Sequence, residues 1–389
     1  MLLVDSRRKP LQLLGVAVLG TALLSACSST TKTASPSTST SPSSSSGGAA
    51  TSAEVEAAST AIASSLQVPT KINQTEPLKA KLPTGKTWVI ITCELPQCKV
   101  ISDGALDAAK TAGVPTKLLA YKTTDGTTLT SAMKQALLAK PFAVSPIGFS
   151  QVVWDGLQSQ FKTAGVSITP IALGDTKTSD VVTEGSASQF DYNADGKRMG
   201  NFVIKDSGAK AQVLVMDVPA FAVLKAYGDG FKEAMTKGCS GCKVTPLDLA
   251  PAQLASNGVV PAIVSALQKD KSIKYLAATD GAFLVGINPA LTAAGLTDIK
   301  IVGGSPDINN LNALKQGTQT AWTAAAEDQY GYVALDIIGR KLNGQQIPPG
   351  DGGRVSMIAT KDNVGTPSPS GLGAPTDYRD QYKKLWGLS

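Results

Sequence analysis

Histidine is absent from this chain of 389 residues, and charged and aromatic residues are scarce. Without histidine there is no Ser-His-Asp or Cys-His catalytic site, no histidine general base, and almost no conventional zinc site. Charged residues make up 17% of the chain, and the formal net charge is only +6. Nucleic-acid-binding proteins present a clustered basic face, whereas the basic residues here are dispersed. We therefore expect no metal and no nucleic-acid partner.

Phosphate-binding loops and long apolar runs are also missing. No GxxxxGK[ST] pattern occurs and no GxGxxG follows a strand pattern, so glycine-rich stretches such as residues 350–353 are interpreted as loops. The apolar run near the N-terminus covers residues 11–24, which is shorter than the roughly 20 residues of a membrane-spanning helix. The sequence therefore predicts no nucleotide cofactor, and we expect no cofactor of any kind.

The N-terminus has the organisation of a lipoprotein signal peptide. Arg7, Arg8 and Lys9 precede the apolar run, and Leu-Ser-Ala-Cys at residues 24–27 forms a lipobox that ends at Cys27. This pattern predicts a signal peptide over residues 1–26 and a lipid attached to Cys27, which would hold the protein at the outer face of the cell membrane. A short transmembrane anchor is the alternative, and the general and twin-arginine export routes both remain open.

A compositional change divides the rest of the chain. Residues 27–81 are rich in Ser, Thr, Ala and Pro, with few large apolar residues, and they are interpreted as a flexible tether. The globular part then begins at residue 82 and is longer than a single hydrophobic core usually supports. Two lobes are expected.

Four further cysteines form two closely spaced pairs, Cys93 with Cys98 and Cys239 with Cys242. Outside the cytoplasm such pairs indicate disulfides. A redox-active site at Cys239–Cys242 is the alternative, but that pair follows a helical pattern, whereas a reactive thiolate is stabilised at the start of a helix. The first disulfide would either present Glu94 and Gln97 on a rigid rim or act only as a stability clip.

Strand and helix patterns alternate along the globular part. A first series has strand patterns at residues 86–92, 116–120, 142–146 and 166–173 with helices between them, including one at 150–164. A second series has strands at 211–217, 243–249, 275–278 and 300–303, with a helix through 281–294. Such alternation predicts an α/β fold with two doubly wound parallel-sheet lobes and a ligand crevice at the carboxyl ends of the strands.

Four stretches resemble the sugar-type periplasmic binding protein family, which includes the ribose and galactose receptors. They are Ser-Asp-Gly-Ala at 102–105, Asp191 with the Gly196–Met199–Gly200 set, Gly-Phe-Lys-Glu-Ala at 230–234, and Thr279-Asp280 followed by Val-Gly-Gly at 302–304. The resemblance covers about residues 86–364. It implies a monomeric two-lobed clamp with a three-segment hinge, which closes on a small solute and docks on an ABC-type membrane permease.

The resemblance also implies lobe boundaries. The first lobe would comprise residues 82–172 with 326–355, and the second residues 173–325 with 356–389. The crossings would then lie near residues 170–175, 324–327 and 355–360. A short helix in the C-terminal tail is expected to pack on the second lobe.

The chain departs from the family where the family binds sugar. The family's clamping arginine falls at Tyr227, its later aspartate at Ser305, and its asparagine beside Asp280 at Thr279. Because most charged partners of sugar hydroxyls are replaced, we expect a neutral solute that is carbohydrate-like or less polar. By position, the candidate ligand-binding residues are Glu94, Gln97, Phe149, Phe221, Tyr227, Asp280, Ser305 and Trp322.

Three functions compete on this scaffold. The first is the solute receptor of an importer, and the second is a sensory lipoprotein that signals to a membrane kinase; both use the same clamp. The third is an enzyme, which without histidine would need a carboxylate pair such as Glu94 and Asp280. We expect a binding protein and no enzyme.

Overall fold

The structure is a computed structural model that describes residues 46–346, 353–368 and 372–388. Two separate β-sheets organise this part of the chain, one of four strands and one of six. We call each sheet, together with its covering helices, a lobe: lobe 1 contains the four-stranded sheet and lobe 2 the six-stranded sheet. The predicted signal peptide and Cys27 lie outside the described residues.

Lobe 1 follows an N-terminal helix. In chain order, the elements are α1 (Ser46–Ile62), β1 (Trp88–Thr92), α2 (Pro96–Ala112), β2 (Thr116–Ala120), α3 (Gly126–Leu138), β3 (Ala143–Pro146), α4 (Gln158–Ala164) and β4 (Ser167–Ile168). The sheet is parallel with the order β2-β1-β3-β4. Every residue of β1 is buried, as expected for the inner strand of a parallel sheet covered on both faces.

Lobe 2 holds most of the remaining elements. In chain order, the remaining elements are α5 (Gln189–Asp206), β5 (Gln212–Asp217), α6 (Ala222–Gly238), β6 (Lys243–Asp248), α7 (Pro251–Ala255), α8 (Val259–Lys269), β7 (Tyr275–Ala278), α9 (Ile287–Ala293), β8 (Lys300–Gly304), α10 (Ile308–Gln316), β9 (Ala321–Ala324), α11 (Gln329–Leu342), β10 (Met357–Thr360) and α12 (Tyr378–Leu385). Of these, α11 and α12 lie on lobe 1. The sheet order is β10-β9-β8-β7-β5-β6. The predicted α/β fold with parallel sheets is confirmed, with one edge strand in the other direction: β10 pairs antiparallel with β9.

Between β4 and β10 the chain passes from one lobe to the other three times: between β4 and α5, between β9 and α11, and between α11 and β10. The excursion places α11 in lobe 1, where it packs on α2. The two helices approach closely at glycines. A Cβ added to Gly331 would lie 2.2 Å from the Cα of Ala105, and one added to Gly104 would lie 2.1 Å from the carbonyl oxygen of Asp328. Only glycine permits this contact.

Most of the expected tether is folded, which corrects the prediction for residues 46–81. Helix α1 packs on α5 and α6 of lobe 2, with Ala58 and Ile62 fully buried. The following segment lies on lobe 1, where the Arg340 guanidinium donates to the carbonyl oxygen of Glu76 and the amide of Leu78 donates to that of Leu385. Ile72 and Leu82 are the apolar residues that this segment and its end bury.

The C-terminal helix α12 packs on lobe 1. The sequence predicts packing on lobe 2, and this prediction is wrong. Trp386 stacks on Tyr332 of α11, with ring centroids 5.7 Å apart and planes 8° apart. Arg379 of α12 forms ion pairs with Asp107 of α2 and with Asp328. These contacts fix the tail to the α2–α11 pair.

Two predicted helices are shorter than expected. Residues 150–164 form two short 3₁₀ turns before α4, and residues 281–294 form a 3₁₀ turn, Gly281–Leu284, before α9. In the second case Gly286 has a φ of 82°, a left-handed conformation that interrupts a right-handed helix. Among the described residues, no helix combines the length and apolar character needed to cross a bilayer.

Candidate functional site

A cavity of about 180 Å³ lies between the two lobes. On lobe 1 its walls come from the segments that follow β1 and β3, and on lobe 2 from those that follow β5, β7 and β8. The crossing after β9 contributes Glu327. Parallel strands that end at one crevice form the usual ligand site of open α/β sheets. The topology therefore directs both lobes toward the same small volume.

Four aromatic rings line this cavity, supplied by Phe149, Tyr192, Phe221 and Phe283. Phe149 is held edge-on against Tyr121, with ring centroids 5.6 Å apart and an interplanar angle of 83°. The Tyr121 hydroxyl in turn donates to the carbonyl oxygen of Ile147 at 2.6 Å. A bound solute would therefore meet ring surfaces from both lobes, and at least one ring has a fixed orientation.

The Cys93–Cys98 disulfide is part of the cavity wall. It closes the loop that leads into α2, and it places Gln97 in the cavity. Glu94 does not line the cavity, and its carboxylate accepts hydrogen bonds from the amide and the hydroxyl of Thr123. These bonds lower the pKa of Glu94. The rim thus presents one of the two expected side chains. The second pair, Cys239 and Cys242, is also bonded and lies away from the cavity.

Two carboxyl groups, those of Asp280 and Glu327, face the cavity. Burial raises the pKa of Asp280 to about 8, with smaller contributions from the charges of Glu327 and Asp307 and against the hydrogen bond from the amide of Ala282. Burial likewise raises the pKa of Glu327 to about 7, although Arg354 opposes the shift. Both shifts reflect the cost of holding a negative charge in a poorly solvated crevice.

An adjacent cavity of about 160 Å³ contains the basic group nearest to these acids. There Arg354 forms a buried ion pair with Asp195 at 2.6 Å, and Arg198 contacts the other oxygen of the same carboxylate. The guanidinium also lies over the rings of Tyr192 and Tyr330, 4.8 and 5.5 Å from their centroids. Although burial opposes it, Arg354 and Arg198 hold the pKa of Asp195 below its ordinary value. Arg354 therefore already has an ion-pair partner, although its Nε is buried without a hydrogen-bond acceptor.

Two of the six non-glycine residues with a positive φ in the described part of the chain lie at the cavity. Ala172 and Ser305 both line it, and both have a positive φ, 54° and 47° respectively, which residues other than glycine rarely adopt. Such conformations persist where the surrounding structure enforces them, often at binding sites. For Ser305, the enforcing contacts are backbone hydrogen bonds to Thr323 and from Gly281.

Five of the eight candidate residues line the cavity: Gln97, Phe149, Phe221, Asp280 and Ser305. Glu94 does not, for the reason given above. Tyr227 is buried against Gly304 and its hydroxyl accepts from Thr323, so it belongs to the lobe 2 interior. Trp322 is fully buried in β9 and donates to Gln319. These three residues therefore do not line the cavity.

The sequence reasoning missed Tyr192, Phe283 and Glu327. The sequence predicts a lobe crossing at the segment that contains Glu327 but no ligand contact there. A charged residue directly after three alanines is the feature that could have indicated a functional role. Phe283 was placed in a helix, whereas the 3₁₀ turn directs it to the cavity. Within the described ranges, no group of three or more acidic, cysteine or histidine side chains is arranged to hold a metal ion.

Comparison with known proteins identifies the class. Residues 96–346 match the family model described as "Periplasmic binding protein domain". This match spans well over half of the chain, so the protein belongs to the periplasmic binding protein family. No curated protein matches the sequence.

Solved structures with the same fold agree with this assignment. An ABC sugar transporter subunit from Rhodobacter sphaeroides aligns with a TM-score of 0.59 and 19% identity over 72% of this chain and 99% of its own. GanP, a glucose-galactose binding protein from Geobacillus stearothermophilus, aligns with a TM-score of 0.60 and 15% identity over 72% of this chain and 99% of its own. A solute-binding protein from Actinobacillus succinogenes with bound D-allose aligns with a TM-score of 0.61 and 13% identity over 72% of this chain and 99% of its own. At these identities the likeness establishes the fold, which is that of the sugar-type binding proteins.

Proposed function

We propose that this protein is the extracytoplasmic solute receptor of an ABC-type importer, and that it captures a small carbohydrate-like or less polar solute by closing its two lobes. The observation that carries the proposal is the cavity between the lobes, to which both sheets contribute the carboxyl ends of their strands. Between β4 and β10, three chain crossings join the lobes, and such connections allow hinge closure around a ligand. The protein is a binding protein and not an enzyme in this proposal.

The lining supports a solute of this type. Rings from both lobes can cover the apolar face of a sugar or of a similar ring, while Gln97 and Ser305 offer hydrogen bonds. Two of the structural neighbours are named for sugars or contain one, glucose and galactose for GanP and D-allose for the Actinobacillus protein. Their names refer to transport or binding, which favours import over the sensory alternative.

The lipobox supplies the location. A lipid on Cys27 would anchor a monomer to the membrane surface, beside the permease that receives the solute. Folding of residues 46–81 shortens the predicted tether to residues 27–45. Measuring the mass of the mature N-terminal peptide tests this anchor, since a free Cys27 or an uncleaved N-terminus would contradict it.

A binding survey tests the function itself. The thermal midpoint and tryptophan fluorescence of the full-length protein are followed against sugars, polyols, amines, amino acids and aromatic acids. A solute at 100 times its Kd should add about 2.7 kcal/mol to the free energy of unfolding. Phe149→Ala should weaken the response, whereas Phe190→Ala, at an exposed phenylalanine outside the cavity, should preserve it. No response to any solute class, or an equal response in both variants, would contradict the proposal.

A further inference from the structure

The acidic groups of the cavity lack a basic partner. Oδ1 of Asp280 accepts a hydrogen bond from the amide of Ala282. No lysine or arginine in the described part of the chain forms an ion pair with Asp280 or with Glu327, although the charge of Arg354 acts on Glu327 at longer range and lowers its pKa. Buried charges in proteins are ordinarily paired, because an unpaired one costs several kcal/mol. The described lining of the cavity therefore contains two carboxyl groups that can become negatively charged, and no lysine or arginine.

The one nearby cation does not correct this imbalance. Arg354 is bound to Asp195 at 2.6 Å, and Arg198 contacts the same carboxylate at 2.6 Å. The remaining acids around Arg354 include Asp191, whose carboxylate caps the start of α5 through the amide of Ser188. Moving Arg354 toward Glu327 would leave Asp195 buried without its principal partner. Arg354 therefore neutralises Asp195 and does not form an ion pair with either carboxyl group of the cavity.

The rest of the lining suits a cation with an apolar body. The faces of aromatic rings attract an ammonium group within about 6 Å, most strongly where water is excluded. Phe149, Phe221 and Phe283 line the same cavity as the two carboxyl groups. A neutral polyol would fill the ring-lined space but would leave any ionised carboxylate without a countercharge.

We propose that the solute carries a protonated amine on a compact ring, and that Asp280 and Glu327 bind this amine while the phenylalanines enclose the ring. This inference rests on the proposed function, because it concerns the same cavity. It replaces the expectation of a neutral solute, which counted only the positions where the family has charges and so omitted Glu327. An amino sugar or a cyclic amine has the required chemistry.

Matched pairs of probes separate charge from shape. Calorimetric titration of the full-length protein compares D-glucosamine with D-glucose, D-galactosamine with D-galactose, and cyclohexylamine with cyclohexanol. At least one amine should bind at least about tenfold more tightly than its hydroxyl counterpart, which corresponds to about 1.4 kcal/mol. Asp280→Asn and Glu327→Gln should each remove most of this preference.

Two controls keep the test informative. Glu94→Gln removes a carboxylate that is close in sequence but bound to Thr123, and it should leave the preference unchanged. If an Asp280 or Glu327 variant still binds the hydroxyl member of a pair, the cavity is intact and the lost preference reports the charge. Retained amine preference in both variants would overturn the assignment of these residues.

The pH dependence gives an independent readout. Asp280 is faced by Glu327 and Asp307, and Glu327 by Arg354 and Asp328. Because the pKa values of Asp280 and Glu327 are raised, their charges develop only as the pH passes through neutrality. Binding of cyclohexylamine, which stays protonated, should therefore strengthen several-fold between about pH 6 and about pH 9. A constant or falling affinity would overturn the inference.

The outcomes distinguish this inference from the proposed function. If a hydroxyl member binds as tightly as its amine, the inference fails and the solute-receptor function stands. If no amine binds at up to about 10 mM, the inference also fails. The wider solute survey then decides separately whether the cavity binds any small molecule.

Discussion

Replacing Asp336 should destabilise the protein strongly, because this residue joins three parts of lobe 1. Its carboxylate accepts from Arg340 Nε at 2.7 Å and from Trp386 Nε1 at 3.0 Å. Arg340 also reaches the carbonyl oxygen of Glu76 in the N-terminal segment. The Arg340 and Asp336 side chains are only 1% and 2% exposed. The network therefore connects α11, α12 and the N-terminal segment away from solvent.

The loss of stability in an Asp336 variant depends on the Arg340 charge that remains buried. Asp336→Asn keeps an acceptor for Trp386 but leaves the Arg340 guanidinium buried and uncompensated. Removing one partner of a buried pair costs about 3–5 kcal/mol, a large part of the roughly 5–15 kcal/mol that stabilises a typical domain. Burial raises the pKa of Asp336 even though Arg340 lowers it, so the intact pair itself adds little net stability. Removing both charges should consequently recover much of the loss.

Urea denaturation of the wild type, Asp336→Asn and Asp336→Asn/Arg340→Met measures these differences. Asp103→Asn is the matched control, since Lys99 and Asp103 form an ion pair with the same four-residue spacing, also at 2.7 Å, but 75% and 58% exposed. It should change the free energy of unfolding by about 0.5 kcal/mol or less. A loss below about 1 kcal/mol in Asp336→Asn, or a double variant no more stable than the single one, would refute the reasoning.

Two further predictions concern the N-terminal segment and the disulfides. Ile62 is fully buried where α1 docks, so Ile62→Ala should lower the free energy of unfolding by about 2–5 kcal/mol in urea denaturation; an unchanged value would mean that α1 does not dock. Because the Cys93–Cys98 bond forms part of the cavity wall, replacing both cysteines by serine should weaken solute binding several-fold in calorimetry. The same change at Cys239 and Cys242 should leave binding unaltered, and an equal effect of both changes would contradict this assignment.

The sequence carried most of the fold, because buried strands and amphipathic helices leave distinct periodicities. Strand β1 was predicted at residues 86–92 and is observed at Trp88–Thr92. The antiparallel direction of β10 leaves no such local signal, since it depends on where the chain returns from lobe 1. The docking of α1 was missed because its composition resembles a tether, although Ala58 and Ile62 are spaced for one helix face.

Cavity residues were predictable where their position after a strand is enough to place them at the cavity. Phe149, Phe221 and Asp280 immediately follow strands, and the parallel topology brings the ends of those strands together. Tyr227 is a candidate by its place in a family pattern and Trp322 by its position on the strand before a crossing. Side-chain direction, however, depends on packing, and Tyr227 fills the space that Gly304 leaves open. Glu94 depends on a tertiary contact with Thr123, which the sequence does not specify.

Lobe closure on a solute is the central claim, and a distance across the cleft tests it most directly. Val152 on lobe 1 and Val285 on lobe 2 are 78% and 71% exposed, and both follow strands that end at the cavity. Spin labels on Val152→Cys/Val285→Cys, measured by pulsed electron paramagnetic resonance, report that distance with and without the solute that gives the largest thermal shift. The account predicts a shorter and narrower distribution at saturation. An unchanged distribution, with the solute shown to be bound, would contradict it.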